Sequence, residues 1–160
     1  MVSLALLRRN PELSAVVADL PAVCDAGREI ADATPEGPRL THHPIDDFVR
    51  DELPGGFDAV LQCDVAIFTP ALFAKIAGAL RDGGRFLAVE RWFDDGESMD
   101  ARQIDYLFSE SLRDPTFAFP TLEQIRRDLS EVGLELASVR ELPRSGWKLL
   151  EARKVGNPAG

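Results

Sequence analysis

The sequence predicts an α/β fold whose sheet is mostly parallel and ends in an antiparallel strand pair. Residues 57–90 give the clearest signal, because they read as a buried strand, an amphipathic helix, a Gly-Gly turn and a second buried strand. Helix and strand patterns also alternate before this unit, which is typical of parallel sheets. Near the C-terminal end, two strand patterns flank the sequence Pro-Arg-Ser-Gly, whose length fits a hairpin connection.

The βαβ unit is predicted from its apolar pattern. Residues 59–61 form a continuous apolar run, as expected of a strand with helices on both faces. A second run at 86–89 predicts the other strand, and Asp82-Gly83-Gly84 ends the helix before it. The predicted buried stripe of that helix comprises Leu72, Phe73, Ile76, Ala79 and Leu80.

The residues before this unit alternate between helix and strand patterns. Residues 3–9 predict a helix that ends at Asn10-Pro11, and residues 15–18 predict a short buried strand. Pro21 opens a second helix through about Ala33, with Val23 and Ile30 on its apolar side. A strand at 39–44 and an acidic loop at 46–56 follow.

Two more helices are predicted before the final hairpin. Residues 99–112 carry apolar side chains at helical spacing, at Ile104, Leu107, Phe108 and Leu112. Thr121 and Gln124 have the spacing of a capping box, and the helix they open ends at Gly133. Its predicted buried stripe comprises Leu122, Ile125, Leu129 and Val132. Residues 134–142 and 147–153 are the two strands of the hairpin.

Length, composition and charge limit the class of protein. With 160 residues, 45% of them hydrophobic, the chain can build a real core, so we assign residues 1–154 to one domain and 155–160 to a disordered tail. A net charge of −9 disfavours nucleic acids and anionic membranes as partners. The N-terminal sequence does not resemble a signal peptide, which favours a cytoplasmic location. We expect both cysteines to be reduced and buried.

Ligands of open α/β sheets bind beyond the carboxyl ends of the strands. Residues 63–68 and 90–93 follow the two strands of the βαβ unit, so we expect ligand-binding or catalytic side chains in these two segments first.

The chain resembles S-adenosylmethionine-dependent methyltransferases, most closely the bacterial and plant small-molecule O-methyltransferase family. The likeness covers nearly all of residues 3–154 and is carried by the segments LRRNPEL, VVADLPAV, IDDF, LPGGFDAVLQCDV, DGGRFLAVE, TLEQIRRDLSEVGLELASVREL and SGWKLLEARK. It implies a Rossmann-like class I methyltransferase fold, a three-layer sandwich, with S-adenosyl-L-methionine as cofactor and a small-molecule methyl acceptor.

The resemblance also implies roles for individual residues. Asp19 matches the acid that accepts both ribose hydroxyls of the cofactor, and a two-oxygen acceptor suits a vicinal diol. Asp46 matches the acid that bonds the adenine amino group, with Phe48 as an aromatic neighbour. Cys63 or Asp64 would lie beside the methionine portion. From the residues alone, Asp19 also reads as a helix cap or turn acid, the Asp46 region as a solvated acidic turn, and Cys63 as an ordinary strand end.

The sequence departs from the family pattern at its start. The family's first strand and Gly-rich loop are not present before residue 3, so we expect an N-terminally truncated version of the fold. Its loss would leave the strands at 15–18 and 57–63 each without a neighbour. We therefore expect the chain to form a homodimer or to associate with a partner chain.

The sequence also departs from the family pattern at the catalytic positions. The family's general-base histidine falls near Ile67 and its supporting acid near Phe119, so no residue is assigned as catalytic. Ile67, Trp92 and Phe108 are candidate substrate-pocket residues, although ordinary core or interface burial is the favoured explanation of Trp92. His42 and His43 are adjacent on a strand and match no metal-site spacing, so no metal is expected.

The predicted function is therefore S-adenosylmethionine-dependent O-methyl transfer to a small molecule. The alternative is a non-catalytic methyltransferase-like subunit or interaction protein, which the missing base favours. A nicotinamide-binding domain is disfavoured because no G-x-G-x-x-G sequence joins a strand to a helix.

Overall fold

The computed structural model describes residues 2–48, 50–91, 101–113, 115, 119–143 and 147–156. The chain forms two compact units, Met1–Leu53 and Pro54–Gly160. The assignment of residues 1–154 to one domain stays a prediction. Most of the predicted tail, at 157–160, lies outside the described residues.

The N-terminal unit packs helices against a two-stranded parallel sheet. Its elements are α1 (Val2–Arg9), β1 (Ala15–Asp19), α2 (Pro21–Asp32), a short 3-10 turn (Gly37–Arg39) and β2 (Leu40–Pro44). β1 and β2 pair in register from Ala15 opposite Leu40 to Asp19 opposite Pro44. A buried apolar cluster supports the unit and consists of Leu4, Leu7, Ala31 and Leu40, with Ala15 and Val17 packed against it.

Arg39 holds the end of α1. Its guanidinium donates to the carbonyl oxygens of Leu7 at 2.9 Å, Asn10 at 3.0 Å and Leu13 at 2.7 Å. The last carbonyls of a helix have no partner within the helix, and they carry the negative end of its dipole. One cationic side chain therefore satisfies the helix end and the segment that leads into β1.

The buried face of α2 differs from the predicted one. Val23 and Ile30 are 48% and 50% exposed, whereas Cys24 and Ala31 are buried. Close packing explains the difference, because a Cβ at Gly27 would lie 2.7 Å from Nε2 of His42. The small side chains of α2 face the sheet, and the larger apolar ones lie outside.

Among its described residues, the C-terminal unit contains a four-stranded sheet and three helices. In chain order its elements are β3 (Phe57–Cys63), α3 (Pro70–Ala79), β4 (Leu80–Glu90), α4 (Ala101–Arg113), α5 (Leu122–Glu131), β5 (Leu134–Glu141) and β6 (Lys148–Lys154). The strand order is β3-β4-β6-β5, with β3 and β4 parallel and β6 antiparallel to both of its neighbours. The predicted βαβ unit and C-terminal antiparallel pair are confirmed.

The connection from α3 to β4 differs from the prediction. Leu80 is buried, but its backbone is extended and it begins β4 instead of ending the helix. The strand pairing shifts here, because Leu80 pairs with Phe57 and the next pair is Ala59 with Arg85. Gly83 has a φ of +74°, and a Cβ at Gly84 would lie 2.7 Å from the Arg81 oxygen. The predicted Gly-Gly turn therefore lies within the early part of β4.

β3 is less buried than its apolar sequence predicts. Ala59 is exposed and Leu61 is 38% exposed. Within the described residues β3 pairs with β4 alone, so one side of the strand has no neighbour. The same position explains why Cys63 is exposed, whereas Cys24 is buried as predicted. In its own unit, β1 likewise pairs with β2 alone among the described residues.

The helices α4 and α5 lie where the sequence predicts them. The side chain of Thr121 accepts a hydrogen bond from the backbone of Gln124 at 3.2 Å, and Ile125 and Leu129 are fully buried. α4 presents much of its apolar stripe outward, since Ile104, Phe108 and Leu112 are 51%, 64% and 72% exposed.

Amide hydrogen exchange tests the free edge of β3. In an edge strand, alternate N–H groups point away from the ladder, so alternate β3 amides should exchange as fast as loop amides. Amides of residues 85–90 in β4, which has a neighbour on each side, should be protected. The measurement is exchange on the dissociated chain, diluted until sedimentation shows a monomer, followed by mass spectrometry with β6 as the internal control. Uniform protection along β3 in the monomer would contradict the assignment of a free edge.

Candidate functional site

The loop after β3 has an unusual backbone. Asp64 and Ala66 have φ values of 58° and 57°, in the left-handed region that residues other than glycine rarely adopt. Each such residue costs on the order of 1–3 kcal/mol and persists only where its surroundings hold it. The amide of Asp64 still bonds the Val89 oxygen at 3.2 Å, which anchors the start of the loop to β4.

The carboxylate of Glu90 holds this loop. Oε1 accepts from the backbone of Val65 at 2.7 Å and from Nε2 of Gln62 at 3.3 Å, and Oε2 accepts from the backbone of Ala66 at 3.4 Å. The residue is only 2% exposed and lies at the carboxyl end of β4, which has neighbours on both sides. Gln62 also donates to the Ile67 oxygen at 3.0 Å, so two buried polar side chains organise the strand ends.

Burial raises the pKa of Glu90 above its ordinary value. The hydrogen bonds from Val65, Gln62 and Ala66 oppose this rise, while the charge of Asp64 adds to it. Three of the roughly four lone-pair positions of the carboxylate are therefore occupied by donors of the protein itself. Glu90 acts first as a positioning residue for the loop.

A cleft opens beside Glu90 at the carboxyl ends of β3 and β4. Its lining is mainly aromatic and apolar, and consists of Asp64, Ala66, Phe68, Glu90, Arg91, Tyr106, Phe119, Pro120 and Trp147. The rings of Tyr106 and Phe119 are stacked, with centroids 5.6 Å apart. The space that these residues enclose is about 10 Å³, room for about one water molecule.

Arg91 is the cation of this cleft. Its guanidinium carbon lies 4.8 Å from the ring centroid of Tyr106 and 4.6 Å from that of Trp147. Burial raises the pKa of Tyr106, and the charge of Glu110 raises it further, so this ring remains a neutral phenol beside the cation. Both aromatic contacts stabilise the guanidinium through the ring faces and leave its N–H edges available.

The predicted pocket residues lie in different places. The side chain of Ile67 is half-buried in the loop but does not line the cleft. Phe108 is 64% exposed, and Tyr106 is the residue of α4 that reaches the cleft. Trp92 lies outside the described residues. Phe119, where the family's supporting acid would fall, is part of the lining.

Cys63 is the last residue of β3, and Asp64 begins the loop after it. Cys63 is exposed at the end of β3, and only Asp64 of the two lines the cleft. Partial burial raises the pKa of the thiol, and the charges of Glu90 and Asp64 raise it further. Cys63 is therefore protonated at neutral pH and unsuited to act as a nucleophile.

In the N-terminal unit, Asp19 is the last residue of β1, and Asp46 lies two residues beyond the end of the neighbouring β2. The backbone of Ile45 donates to the Asp19 oxygen at 2.9 Å, which joins the ends of β1 and β2. Oδ1 of Asp19 accepts from the Leu20 backbone at 2.8 Å, the turn contact that its sequence also predicts. Oδ2 has no protein partner within the described ranges. The carboxylate of Asp19 can therefore accept further hydrogen bonds.

The acidic turn around Asp46 is organised by Asp51. Oδ2 of Asp51 accepts from the backbones of Asp46 at 2.8 Å and Asp47 at 2.9 Å. Asp46 itself is exposed, and its carboxylate has no partner in the part of the chain that the structure describes. Phe48, two residues later, is half-buried. Asp46 thus lies in a solvated acidic turn, and its carboxylate oxygens can still accept hydrogen bonds.

Within the described ranges, no group of three His, Cys, Asp or Glu side chains is placed to hold a metal ion. None of the described helices has the length and apolar character needed to span a bilayer.

Glu90, Arg91, Tyr106 and Trp147 were not among the site residues predicted from the sequence. The positions of Glu90 and Arg91 could have identified them as site candidates. They follow the apolar run of a predicted strand and fall within the region 90–93, where functional residues are expected. Tyr106 and Trp147 had no such signal, because their partner is distant in the sequence.

The chain matches solved structures that include O-methyltransferases. The mitomycin 7-O-methyltransferase MmcR matches with a TM-score of 0.84 at 19% identity, over 96% of this chain and 45% of that one. An O-methyltransferase family 2 protein from Planctomyces limnophilus, solved with apigenin, gives 0.78 at 24% identity, over 96% and 47%. The protein TnmH gives 0.76 at 25% identity, over 92% and 44%.

These matches confirm the predicted fold class and the resemblance to O-methyltransferases at the level of the fold. The chain spans a little under half of the length of these solved structures. No protein-family model matches the sequence, and no curated protein matches it significantly.

Replacing Glu90 with Gln tests the buried carboxylate. A raised pKa in the folded state means that the folded chain holds this proton more tightly, so stability falls as pH rises from the ordinary value near 4.5 through the raised pKa. The difference in unfolding free energy, wild type minus Glu90→Gln, should therefore decrease across that range and then level off.

Urea denaturation at a series of pH values measures this difference. Glu135→Gln, at an exposed position of the same unit, controls for the loss of one carboxyl group. A wild-type-minus-Glu90→Gln difference that is constant with pH would contradict the raised pKa.

Proposed function

We propose that the chain is an S-adenosylmethionine-dependent O-methyltransferase domain that acts on a small molecule. The observation that carries this proposal is the fold match to O-methyltransferases over nearly the whole chain. Two further features support it: paired acids at the ends of β1 and β2, and an aromatic cleft at the ends of β3 and β4.

The residues at the ends of β1 and β2 fit the adenosine part of the cofactor. Asp19 retains an acceptor oxygen for the ribose hydroxyls, and Asp46 has an exposed carboxylate for the adenine amino group. Phe48 would supply an aromatic neighbour, and Cys63 the contact near the methionine portion that the family resemblance implies. When bound, the cofactor supplies an activated methyl group on a positively charged sulfur.

The methyl acceptor would bind beside Glu90, at the carboxyl ends of β3 and β4, where the lining side chains are mainly aromatic and apolar. Positioning and desolvation supply much of the rate when the methyl group is already activated. A hydroxyl acceptor must still lose its proton, and the described residues that line the cleft include no histidine to take it.

This last observation favours a second candidate, a non-catalytic methyltransferase-like subunit. The lone pairs of Glu90 are largely used by the loop, so it is a poor substitute for a free base. Such a subunit would retain the fold and provide an interface or a shielding surface to a partner chain. Cofactor binding without methyl transfer to any acceptor would favour it.

We further propose that the chain associates, as a homodimer or with a partner chain, and that it acts in the cytoplasm. Association is supported by the free edge of β3 and by the exposed apolar stripe of α4. The cytoplasmic location is supported by two free cysteines.

Titration with S-adenosylhomocysteine tests cofactor binding. Asp19→Asn keeps an oxygen for the Leu20 backbone but removes the second charged acceptor, so affinity should fall by about tenfold or more, as expected for lost charge-assisted hydrogen bonds. Isothermal titration calorimetry of the full chain measures the affinity. Asp32→Asn, an exposed acid on α2, is the matched control.

Equal affinities of wild type and Asp19→Asn would contradict the ribose contact. Failure of a folded wild-type chain to bind S-adenosylhomocysteine would contradict the methyltransferase proposal for this chain alone.

Sedimentation velocity tests association. We expect the purified chain to sediment as a dimer or larger species at micromolar concentrations, because unpaired strand edges and apolar faces favour contact between copies. Leu61→Lys places a charge on the exposed part of β3 and should shift the distribution toward monomer. A wild-type chain that is monomeric and unfolds cooperatively would refute self-association.

A further inference from the structure

The cleft at the carboxyl ends of β3 and β4 is almost filled by side chains of the protein itself. The space that its lining residues enclose is about 10 Å³, room for about one water molecule. The ring of Tyr106 stacks on that of Phe119, and the guanidinium of Arg91 lies against the rings of Tyr106 and Trp147. A larger molecule can therefore reach the Glu90 carboxylate from this side only after part of the wall has moved.

Most of the wall is held in place by strand pairing, hydrogen bonds or buried side chains. β4 pairs with a strand on each side, and the loop after β3 is bonded to the carboxylate of Glu90. The backbone oxygen of Trp147 accepts from the Leu142 backbone at 2.8 Å, which joins the two ends of the β5–β6 hairpin. α5, which directly follows another part of the lining, is anchored by the fully buried Ile125 and Leu129. Moving any of these parts would disrupt packed structure.

α4 is held differently from the rest of the wall. None of the α4 side chains that the structure describes is buried, and Ile104, Phe108 and Leu112 are more than half exposed. Among the described residues of this helix, Tyr106 alone lines the cleft. Elements with few buried apolar contacts open locally at much lower free energy than the whole domain unfolds. α4 is therefore the part of the wall that moves at the lowest cost.

Arg91 links α4 to the sheet. Its guanidinium carbon lies 4.8 Å from the ring centroid of Tyr106, on α4, and 4.6 Å from that of Trp147, directly before β6. One cation at the end of β4 thus contacts an aromatic ring from each of two other elements. Cation–π contacts are individually weak, so a helix held through them can be displaced by a ligand that binds only the open form.

We propose that α4 is a lid over the carboxyl ends of β3 and β4, and that Arg91 holds it closed by bridging Tyr106 and Trp147. When α4 moves away, the volume that the Tyr106 ring occupies becomes available beside Glu90. The inference rests on the proposed function in one respect, because it takes the methyl acceptor as the molecule that enters. The fraction of open chains then sets the apparent affinity for the acceptor. Opening itself involves only the C-terminal unit.

A distance measured between α4 and the sheet tests the lid. Spin labels are attached at Leu112→Cys on α4 and Glu135→Cys on β5, both exposed positions, in a Cys63→Ser background, and the remaining native cysteine, Cys24, is buried. Double electron–electron resonance on the full chain, diluted until sedimentation shows a monomer, gives the distribution of their separation. Labels at Glu123→Cys on α5 and Glu135→Cys form the reference pair, because α5 packs on β5.

Removing the cation should open the lid. In Arg91→Gln the ratio of open to closed populations should rise about fivefold or more, as the loss of cation–π contacts with two rings would give, and a longer α4–β5 distance should become detectable. Arg91→Lys should give a smaller rise, because it keeps the charge without the planar guanidinium. Arg140→Gln, at an exposed position of β5, removes the same charge and should leave the distribution unchanged.

Three outcomes would overturn the proposal. They are an unchanged α4–β5 distribution in Arg91→Gln, an equal change in Arg140→Gln, and a change in the reference pair as well, which would indicate a loss of packing in the whole unit. Tyr106→Leu gives the second test if Arg91→Gln does not fold. It removes the ring through which Arg91 contacts α4, so it should open the lid to a similar extent.

The distance measurements involve neither cofactor nor acceptor, so they separate the lid from the proposed function. If the lid opens in Arg91→Gln but S-adenosylhomocysteine does not bind the folded chain, the proposed function fails and the lid stands. If S-adenosylhomocysteine binds and the α4–β5 distance does not depend on Arg91, the lid alone fails.

Discussion

The contact between Glu90 and the loop after β3 is the interaction on which the C-terminal unit's cleft depends. Asp64 and Ala66 hold a backbone conformation that a free chain would leave, and the bonds from Val65 and Ala66 to the buried carboxylate keep them there. The carboxylate in turn needs these donors, because a buried charge without partners is strongly unfavourable. Strand end and loop therefore stabilise each other, and the cleft takes its shape from both.

Element positions in this chain were largely predictable from sequence, whereas burial was not. Periodicity, proline and cap residues locate helices and strands because these signals act within a few residues, as Thr121 does for α5. Burial depends on which element packs against which. Val23, Ile30 and Leu61 are apolar at the expected spacing, yet the packing of small side chains on α2 and the edge position of β3 leave them exposed.

In the candidate site, too, some features were predictable from local sequence and others depend on how distant elements pack. Asp19, Asp46 and Glu90 lie at or near strand ends, where open α/β sheets bind their ligands, so a site in these places could be predicted from the sequence. Tyr106 and Trp147 reach Arg91 because β6 pairs beside β4 and α4 returns to the same end of the sheet. No local pattern encodes that meeting. Ile67 illustrates the converse, since its place in the loop was predictable but its absence from the cleft lining was not.

The pairing shift at the start of β4 has a consequence for how this fold tolerates change. Between the pairs Leu80–Phe57 and Arg85–Ala59, residues 81–84 face a single residue of β3, Asp58. Extra length is absorbed there, before the regular ladder begins, and everything from Arg85 to Glu90 keeps its alignment. Insertions or deletions in this turn would thus leave the pairing of β3 with β4 unchanged from Arg85 onward. Glu90 would keep its position against the loop after β3. The end of the sheet opposite the cleft can vary in length, while the end that carries the cleft is held constant.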